Sequence, residues 1–270
     1  MNEKIKFAAF DVDGTILPYG QLSFSPKIVE AFKKLKENKI KTIIATGREF
    51  VTIGKLLDQL NGNIDYFIGA NGAFIYDVEK DKIIHKNPIY YADFEVFYNE
   101  MIDSVDSMSI MDDQYGHVSE KVDTDSWFLK PHTHKLKKLD DTFSQINRKS
   151  LFIITVNSMD KQSYDLANKV IEKNHLNLSI QSAWEKGLFL AAKGVTKSSA
   201  LRWLMIDHNA SLKNLIAFGD GENDVEMIRD AGIGVVMQGG SRELIKYADY
   251  IAPRCDDDGV YTQLKKLNII

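Results

Sequence analysis

The sequence has a single cysteine, Cys255, so no disulfide can close within the chain. One lone thiol is the usage of a protein kept in a reducing compartment. No apolar run comes near the roughly 18 residues that a membrane span needs, which argues against a membrane protein. A secretory leader is not evident either: Met1 to Lys6 alternates charged and apolar residues and Asp11 interrupts the apolar run beyond it, so a cytoplasmic location is expected. An excess of basic charge is also missing, with 34 Lys and Arg against 38 Asp and Glu and a formal net charge of −4. So weak an acidic balance gives no reason to expect a nucleic-acid partner. There is no internal repeat and no low-complexity segment. What is present is an ordinary soluble balance, 44% hydrophobic and 27% charged residues over 270 positions. At about 150 residues per domain, that length suggests two domains or one large one. A chain of this size buries roughly 70 to 75% of its unfolded surface, so its core needs no disulfide or structural metal.

The first third alternates short apolar runs with helical patterns. Ile5 to Phe10 reads as a strand, and a helix opened by Ser25 and Pro26 carries Ile28, Phe32 and Leu35 on one face. A second strand is expected at Thr42 to Ala45, a second helix over Ile53, Leu56, Leu57 and Leu60, and a third strand at Tyr66 to Gly69 before an Asn71-Gly72 turn. The last third repeats the pattern: a helix from Lys197 to His208, a strand at Leu215 to Phe218, a helix over Val225 to Asp230 and a strand at Ile233 to Val236. Gly232 stands as a helix C-cap, and a short helix (Arg242 to Tyr247) and a strand (Asp249 to Ala252) complete the third. This βαβ alternation predicts a parallel sheet. The middle predicts a mixed α+β block, with strands over Ser107 to Ser119, Leu151 to Asn157 and Leu178 to Leu190 and helices over Ala92 to Val105 and Lys161 to Asn174. The expected organisation is a core of residues 1–86 and 190–270, split around an insert of residues 87–189.

Four segments at strand ends or helix starts could carry chemistry. Asp11-Val12-Asp13-Gly14-Thr15 comes directly after the first apolar strand, where an open α/β sheet binds its ligands. Carboxylates at i and i+2 beside a flexible glycine can divide the work, one attacking and one handling protons, although an ordinary Asp-Gly turn with solvated acids would read the same. Thr46-Gly47-Arg48 offers a hydroxyl and backbone N–H groups of the kind that bind phosphate, or a simple N-cap threonine. Gly219-Asp220-Gly221-Glu222-Asn223-Asp224 could hold a hard cation through oxygen, or cap the next helix; it lacks the spacing of a calcium loop. Lys197, after a Thr196 cap, opposes the dipole of its own helix unless an anion or carboxylate lies near. Any one of these is weak. Their joint occurrence at corresponding places favours function.

Taken in order, these motifs resemble the haloacid dehalogenase superfamily, in its Cof-type branch of Mg²⁺-dependent phosphatases, across essentially the whole chain. The run Glu222-Asn223-Asp224 into Val225-Glu226-Met227 is particularly specific to that branch, and Asn71-Gly72-Ala73, Ala248-Asp249 and Asp258-Gly259-Val260 also match. The resemblance implies a Rossmann-like parallel core of strand order 3-2-1-4-5-6 with an inserted α+β cap that sets substrate specificity. It implies that Asp11 attacks phosphorus, that Asp13 protonates the leaving oxygen and then activates water, and that Gly14, Thr46, Gly47, Lys197 and Asn223 hold the phosphate. Mg²⁺ would be bound by the Asp11 carboxylate, the Asp13 main-chain carbonyl and Asp220, with Asp224 orienting the metal's surroundings. Two positions depart from the pattern: Met237-Gln238-Gly239-Gly240 replaces a usual Met-Gly-Asn-Ala, and Ser198-Ser199 comes after Lys197 where Gly is common.

The implied activity is hydrolysis of small phosphate monoesters, of sugar phosphate or pyridoxal phosphate type, because a large cap would close over a compact substrate. A sugar phosphomutase is the alternative, since Asp13 serves either reaction. A non-catalytic phospho-aspartate switch is a third reading, against which Asp13 stands. The basic stretch Lys130 to Lys138 could attract an anion, or bind metal at its His-x-His pair, but is expected to be a solvated loop because no further Cys or His accompanies it. Trp127, Trp184 and Trp203 are expected in the core.

Overall fold

The computed structural model describes residues 4–160 and 162–270 and divides into two compact units. Along the chain run β1 (Phe7–Phe10), α1 (Pro26–Glu37), β2 (Lys41–Ala45), β3 (Tyr66–Gly69), β4 (Phe74–Asp77) and β5 (Lys82–Lys86). Next come α2 (Tyr91–Met101), β6 (Ser107–Met111), β7 (Gly116–Val118), β8 (Leu136–Lys138), β9 (Ile153–Asn157), α3 (Ser163–Lys173), β10 (Leu178–Trp184) and β11 (Gly187–Ala192). The last elements are α4 (Lys197–Asp207), β12 (Leu215–Gly219), α5 (Val225–Asp230), β13 (Ile233–Met237), α6 (Arg242–Ile245), β14 (Tyr250–Ala252) and α7 (Gly259–Lys266).

The first unit comprises residues 1–47, 55–85 and 196–270. Its sheet has the order β14-β13-β12-β1-β2-β3-β4-β5, parallel from β14 to β3, so its six parallel strands have the expected 3-2-1-4-5-6 order. β1 is buried at all four positions and lies between β2 and β12, as befits a strand covered on both faces. The β4–β5 hairpin extends the sheet beyond the expected six strands, and β4 pairs antiparallel with β3. α1 starts where expected: the Ser25 hydroxyl accepts the Ile28 N–H, Pro26 occupies the first turn, and Ile28, Ala31, Phe32 and Leu35 are buried.

The second unit comprises residues 48–54 and 86–195. Its sheet, β10-β11-β9-β6-β7-β8, is antiparallel except for the β7–β8 pair, and α2 packs on α3. A boundary between 189 and 190 would cut β11, which pairs with both β9 and β10; the compact unit runs on to Val195. The chain between Arg48 and Gly54 also belongs to this unit rather than to the first.

Several local expectations give way to tertiary context. The helix expected over Ile53 to Leu60 is only a 3₁₀ turn at Leu57–Leu60, because Gly54 takes a left-handed φ of 52°. The segments Ser107–Ser119 and Leu178–Leu190 are not single strands, for each contains two strands with a reversal between them. The helix expected from Lys161 runs from Ser163; Lys161 lies outside the described residues, as do Met1 to Glu3. Gly232 is not a left-handed cap. A Cβ there would meet the Lys213 carbonyl at 2.2 Å, so its smallness admits a neighbouring backbone. Residues 130–138 form a 3₁₀ segment and β8 rather than a loop, and Trp127 and Trp184 are exposed, whereas Trp203 packs on the core. No described helix is long and apolar enough to cross a membrane.

Candidate active site

All the residues expected to carry chemistry except Arg48 fall in the first unit, and the sheet dictates their positions. β1 delivers Asp11 at its carboxyl end, and the Asp11 N–H donates to the Phe218 carbonyl of β12 at 3.0 Å. β12, adjacent and parallel, delivers Asp220 and the turn that places Asp224. Adjacent strand ends thus bring together acids some 200 positions apart in the chain.

One oxygen from each of Asp11, Asp220 and Asp224 lies within 4.8 Å of the others. Lys197, fully buried at the first position of α4, reaches into the group: its Nζ is 2.5 Å from Asp11 Oδ1 and 2.6 Å from Asp224 Oδ1. The misfit of a lysine in a first helical turn is thereby resolved by two carboxylates. α4 itself is fixed by a reciprocal cap, Thr196 Oγ1 accepting the Ser199 N–H and Ser199 Oγ accepting the Thr196 N–H. The Ser198-Ser199 departure is therefore put to use, Ser199 in this cap and Ser198 in a 2.7 Å bond to Asp230.

Asp224 accepts the backbone N–H groups of Asp220 and Gly221 on Oδ2, both at 3.0 Å, while Oδ1 faces Lys197. Asp220 accepts hydroxyl bonds on both oxygens, from Thr15 at 3.0 Å and Tyr19 at 3.1 Å. Gly14 makes this approach possible, since at its φ of 83° a Cβ would stand 2.3 Å from Asp220 Oδ2. Asp13 occupies the same turn, bridged to Leu17 and partly exposed.

The charges do not balance. Three carboxylates share one ammonium, and burial pushes the Asp11 carboxyl well above the usual range; Lys197 opposes this, while Asp224 and Asp220 add to it. Asp220 is raised to about 6 by burial and then Asp224, against the pull of its Thr15 and Tyr19 hydrogen bonds. Burial alone would lower Lys197, but Asp11 and Asp224 outweigh it and hold the ammonium above the ordinary lysine value. A hard divalent cation among these oxygens would offset the surplus, so the donor set fits a metal site of the Mg²⁺ kind.

Thr46 is buried at the end of β2, its N–H bonded to the Ile68 carbonyl, and its own carbonyl accepts the Asn71 N–H at 2.9 Å. Asn71, left-handed at φ 55°, accepts the Asn223 side-chain N–H at 2.9 Å and lies against Gly47, while its Nδ2 is buried with no hydrogen-bond partner among the described residues. Gly72 lets this turn meet α4, because a Cβ there would strike the Thr196 carbonyl at 2.2 Å. Arg48 belongs to the second unit, where it donates to the Thr52 carbonyl at 2.8 Å and lies over the Phe128 ring.

Thr15, Tyr19 and Asn71 are the members of the group to which sequence reasoning gave no role. Thr15 and Asn71 sit inside recognisable motifs. Tyr19 carries no sequence signal, because its partner Asp220 is 201 positions away. In place of the usual Asn-Ala, Gly239 takes a φ of 95°, and a Cβ on Gly240 would stand 3.0 Å from the Asp220 carbonyl. They line a cleft of about 340 Å³ together with Tyr19, Asp220, Arg254 and Cys255.

Comparison with known proteins identifies the family and the fold. Residues 8–264 match the sequence profile of the haloacid dehalogenase-like hydrolases. The chain is 27% identical to the 5-amino-6-(5-phospho-D-ribitylamino)uracil phosphatase YcsE of Bacillus subtilis, over 95% of this chain and 93% of that one. It is 26% identical to the pyridoxal phosphate phosphatase YbhA of Escherichia coli, over 88% and 89% of the two chains. In fold it is similar to the subclass IIB sugar phosphatase BT4131, at a TM-score of 0.84, 23% identity and coverage of 98% and 100%.

Proposed function

The chain belongs to the haloacid dehalogenase-like hydrolase family and is a phosphatase, and from that premise we propose that it hydrolyses small phosphate monoesters through an aspartyl-phosphate, with Mg²⁺ as cofactor. The observation that carries this reading is the buried Asp11–Lys197–Asp224 contact beside Asp220, a nucleophile, a cation and spare carboxylate oxygens in one place.

In this reading Asp11 attacks phosphorus in line, the bond to the ester oxygen breaks, and Asp13 gives that oxygen its proton. Asp13 then takes a proton from the water that cleaves the Asp11–phosphorus bond, releasing inorganic phosphate. The Asp11 carboxylate, the Asp13 main-chain carbonyl and Asp220 would hold Mg²⁺, which when bound supplies positive charge to the transferring phosphoryl group. Asp224, anchored by two backbone N–H groups and Lys197, keeps the acidic loop in place beside Asp220. Lys197, Thr46, Gly14 and Gly47 would receive the phosphoryl oxygens, with Asn223 beside them. The unpartnered Asn71 Nδ2 next to Gly47 supports an anion there, since an orphaned buried donor costs about 1–3 kcal/mol until an acceptor arrives.

The names of the relatives supply the substrate class, sugar-like or pyridoxal-type phosphates. A panel of such esters assayed for released phosphate with Mg²⁺ tests the proposal. Turnover of at least one compact monoester is expected. A labelled sugar phosphate returned as its isomer, with little free phosphate, would replace hydrolysis by a mutase reaction.

A further inference from the structure

The loop after the first aspartate pair folds back on itself: the Val12 carbonyl accepts the N–H groups of Thr15, Ile16 and Leu17, and the Pro18 carbonyl accepts that of Gln21. This places Tyr19 across Gly14 from Asp220. The tyrosine ring would lie 2.8 Å from a Cβ on Gly14, so only glycine admits the ring and the carboxylate together. Tyr19 is 67% exposed, yet its hydroxyl donates to Asp220 Oδ2 while Thr15 donates to Oδ1.

Asp220 is thus held from several sides. Its N–H goes to Asp224, its carbonyl accepts the Ser241 N–H at 2.8 Å, and each side-chain oxygen has its own O–H donor. An exposed aromatic side chain gains little from packing, so the constraint it satisfies here is the hydrogen bond. A carboxylate oxygen has two acceptor directions, and a hydroxyl on one leaves the other for a cation while fixing the plane of the group.

We propose that Tyr19 is a positioning residue for the metal-binding carboxylate: its hydroxyl orients Asp220 so that Mg²⁺ binds without first having to order that side chain. The inference rests on the reading of Asp220 as a metal ligand, and it concerns an interaction outside the motifs that the family resemblance rests on. Tyr19 touches neither phosphorus nor leaving group in this role, so turnover at saturating Mg²⁺ should be largely kept.

The test is Mg²⁺ titration of the substrate-free protein by calorimetry, comparing the parent with Tyr19→Phe, and the melting temperature of each without metal. The expected result is a dissociation constant roughly tenfold or more higher in the variant, with an unchanged metal-free melting temperature. In turnover assays the Mg²⁺ concentration for half-activation should rise by the same factor while kcat changes little. Equal or tighter Mg²⁺ binding by Tyr19→Phe overturns the inference while leaving the metal site standing. A variant that melts lower without metal makes Tyr19 a structural residue and overturns it too. A parent protein that binds no Mg²⁺ overturns the metal assignment itself, and the inference with it.

Discussion

Each unit of the molecule buries an aspartate beside a basic side chain, and the two are built to opposite ends. In the second unit Asp112 lies 2.7 Å from His117 Nε2 and accepts the backbone N–H groups of Gln114, Tyr115 and Asn147. Burial opposes its charge, but His117 and those N–H groups win, and its carboxyl lies below the ordinary carboxylate value. In the first unit Asp11 has Lys197 at 2.5 Å, but burial, and after it the charges of Asp224 and Asp220 in the same space, drive its carboxyl well up. A carboxylate whose needs are met locally ties a β-hairpin to a later loop. One among rival acids is, in the proposed reading, poised for a cation and an electrophile.

The largest expected effect breaks this comparison at its centre. Asp11→Asn should lower turnover by at least about 10³-fold with the fold retained, since the nucleophile is lost, whereas Asp112→Asn should leave kcat of the folded protein within a few-fold. Steady-state kinetics beside circular dichroism checks both; near-normal activity in Asp11→Asn would falsify the mechanism. Asp13→Ala should slow turnover by about 10²- to 10⁴-fold, with a greater loss for esters of poor leaving groups, because a proton donor matters most there. A leaving-group series measures it, and a uniform loss across the series counts against Asp13 as the acid. Chelation by EDTA should stop turnover and added Mg²⁺ restore it; activity that persists in EDTA removes the metal from the reading.

In stability the order reverses. Asp112→Asn should cost about 3 kcal/mol, because it removes the charge that the buried hairpin groups are arranged around. Asp220→Asn should instead raise the melting temperature of the metal-free protein at pH 7, by roughly 2–4 °C for each kcal/mol relieved. Denaturation by urea and by heat would show whether the two variants move in opposite directions.

The smallest effect sharpens the contrast by pH. Asp220 is raised to about 6 in the folded protein, so between its ordinary value near 4 and 6 the native state binds more protons than the unfolded one, and its contribution falls as pH rises. His132, in the second unit, is lowered to about 4 by burial and then by Arg48, so below 6.5 the unfolded state takes protons that the native state does not. Its contribution therefore falls as pH drops. Melting temperatures from pH 4 to 7 without metal should lose the first trend in Asp220→Asn and the second in His132→Gln; parallel curves for parent and variants would contradict both assignments.

Much of the site was legible because its residues cluster in short local motifs. Asp11 to Thr15, Thr46-Gly47, Lys197 and Gly219 to Asp224 are each weak alone but speak together, and β-strands buried on both faces leave apolar runs that locate them. Secondary structure was less legible where a backbone conformation decided it. Gly54 stops the helix that Ile53, Leu56, Leu57 and Leu60 suggest, and the apolar run through Met111 hides a reversal before Gly116. The exposure of Trp127 and Trp184 was not legible, because aromatic character does not say which side of a strand or loop faces water.

The sequence alone determined which chemical groups the protein owns and, through the alternation of apolar runs with helical periods, that a parallel sheet would carry them on its strand ends. Only the tertiary structure decided the charge state and company of those groups. Hydrogen bonding between β1 and β12 brings Asp11 to Asp220, α4 aims Lys197 at two carboxylates, and a folded-back loop puts the Tyr19 hydroxyl on Asp220. The physical reason is that electrostatic energies depend on separations of a few ångströms and on exclusion of water, neither of which is encoded by distance along the chain.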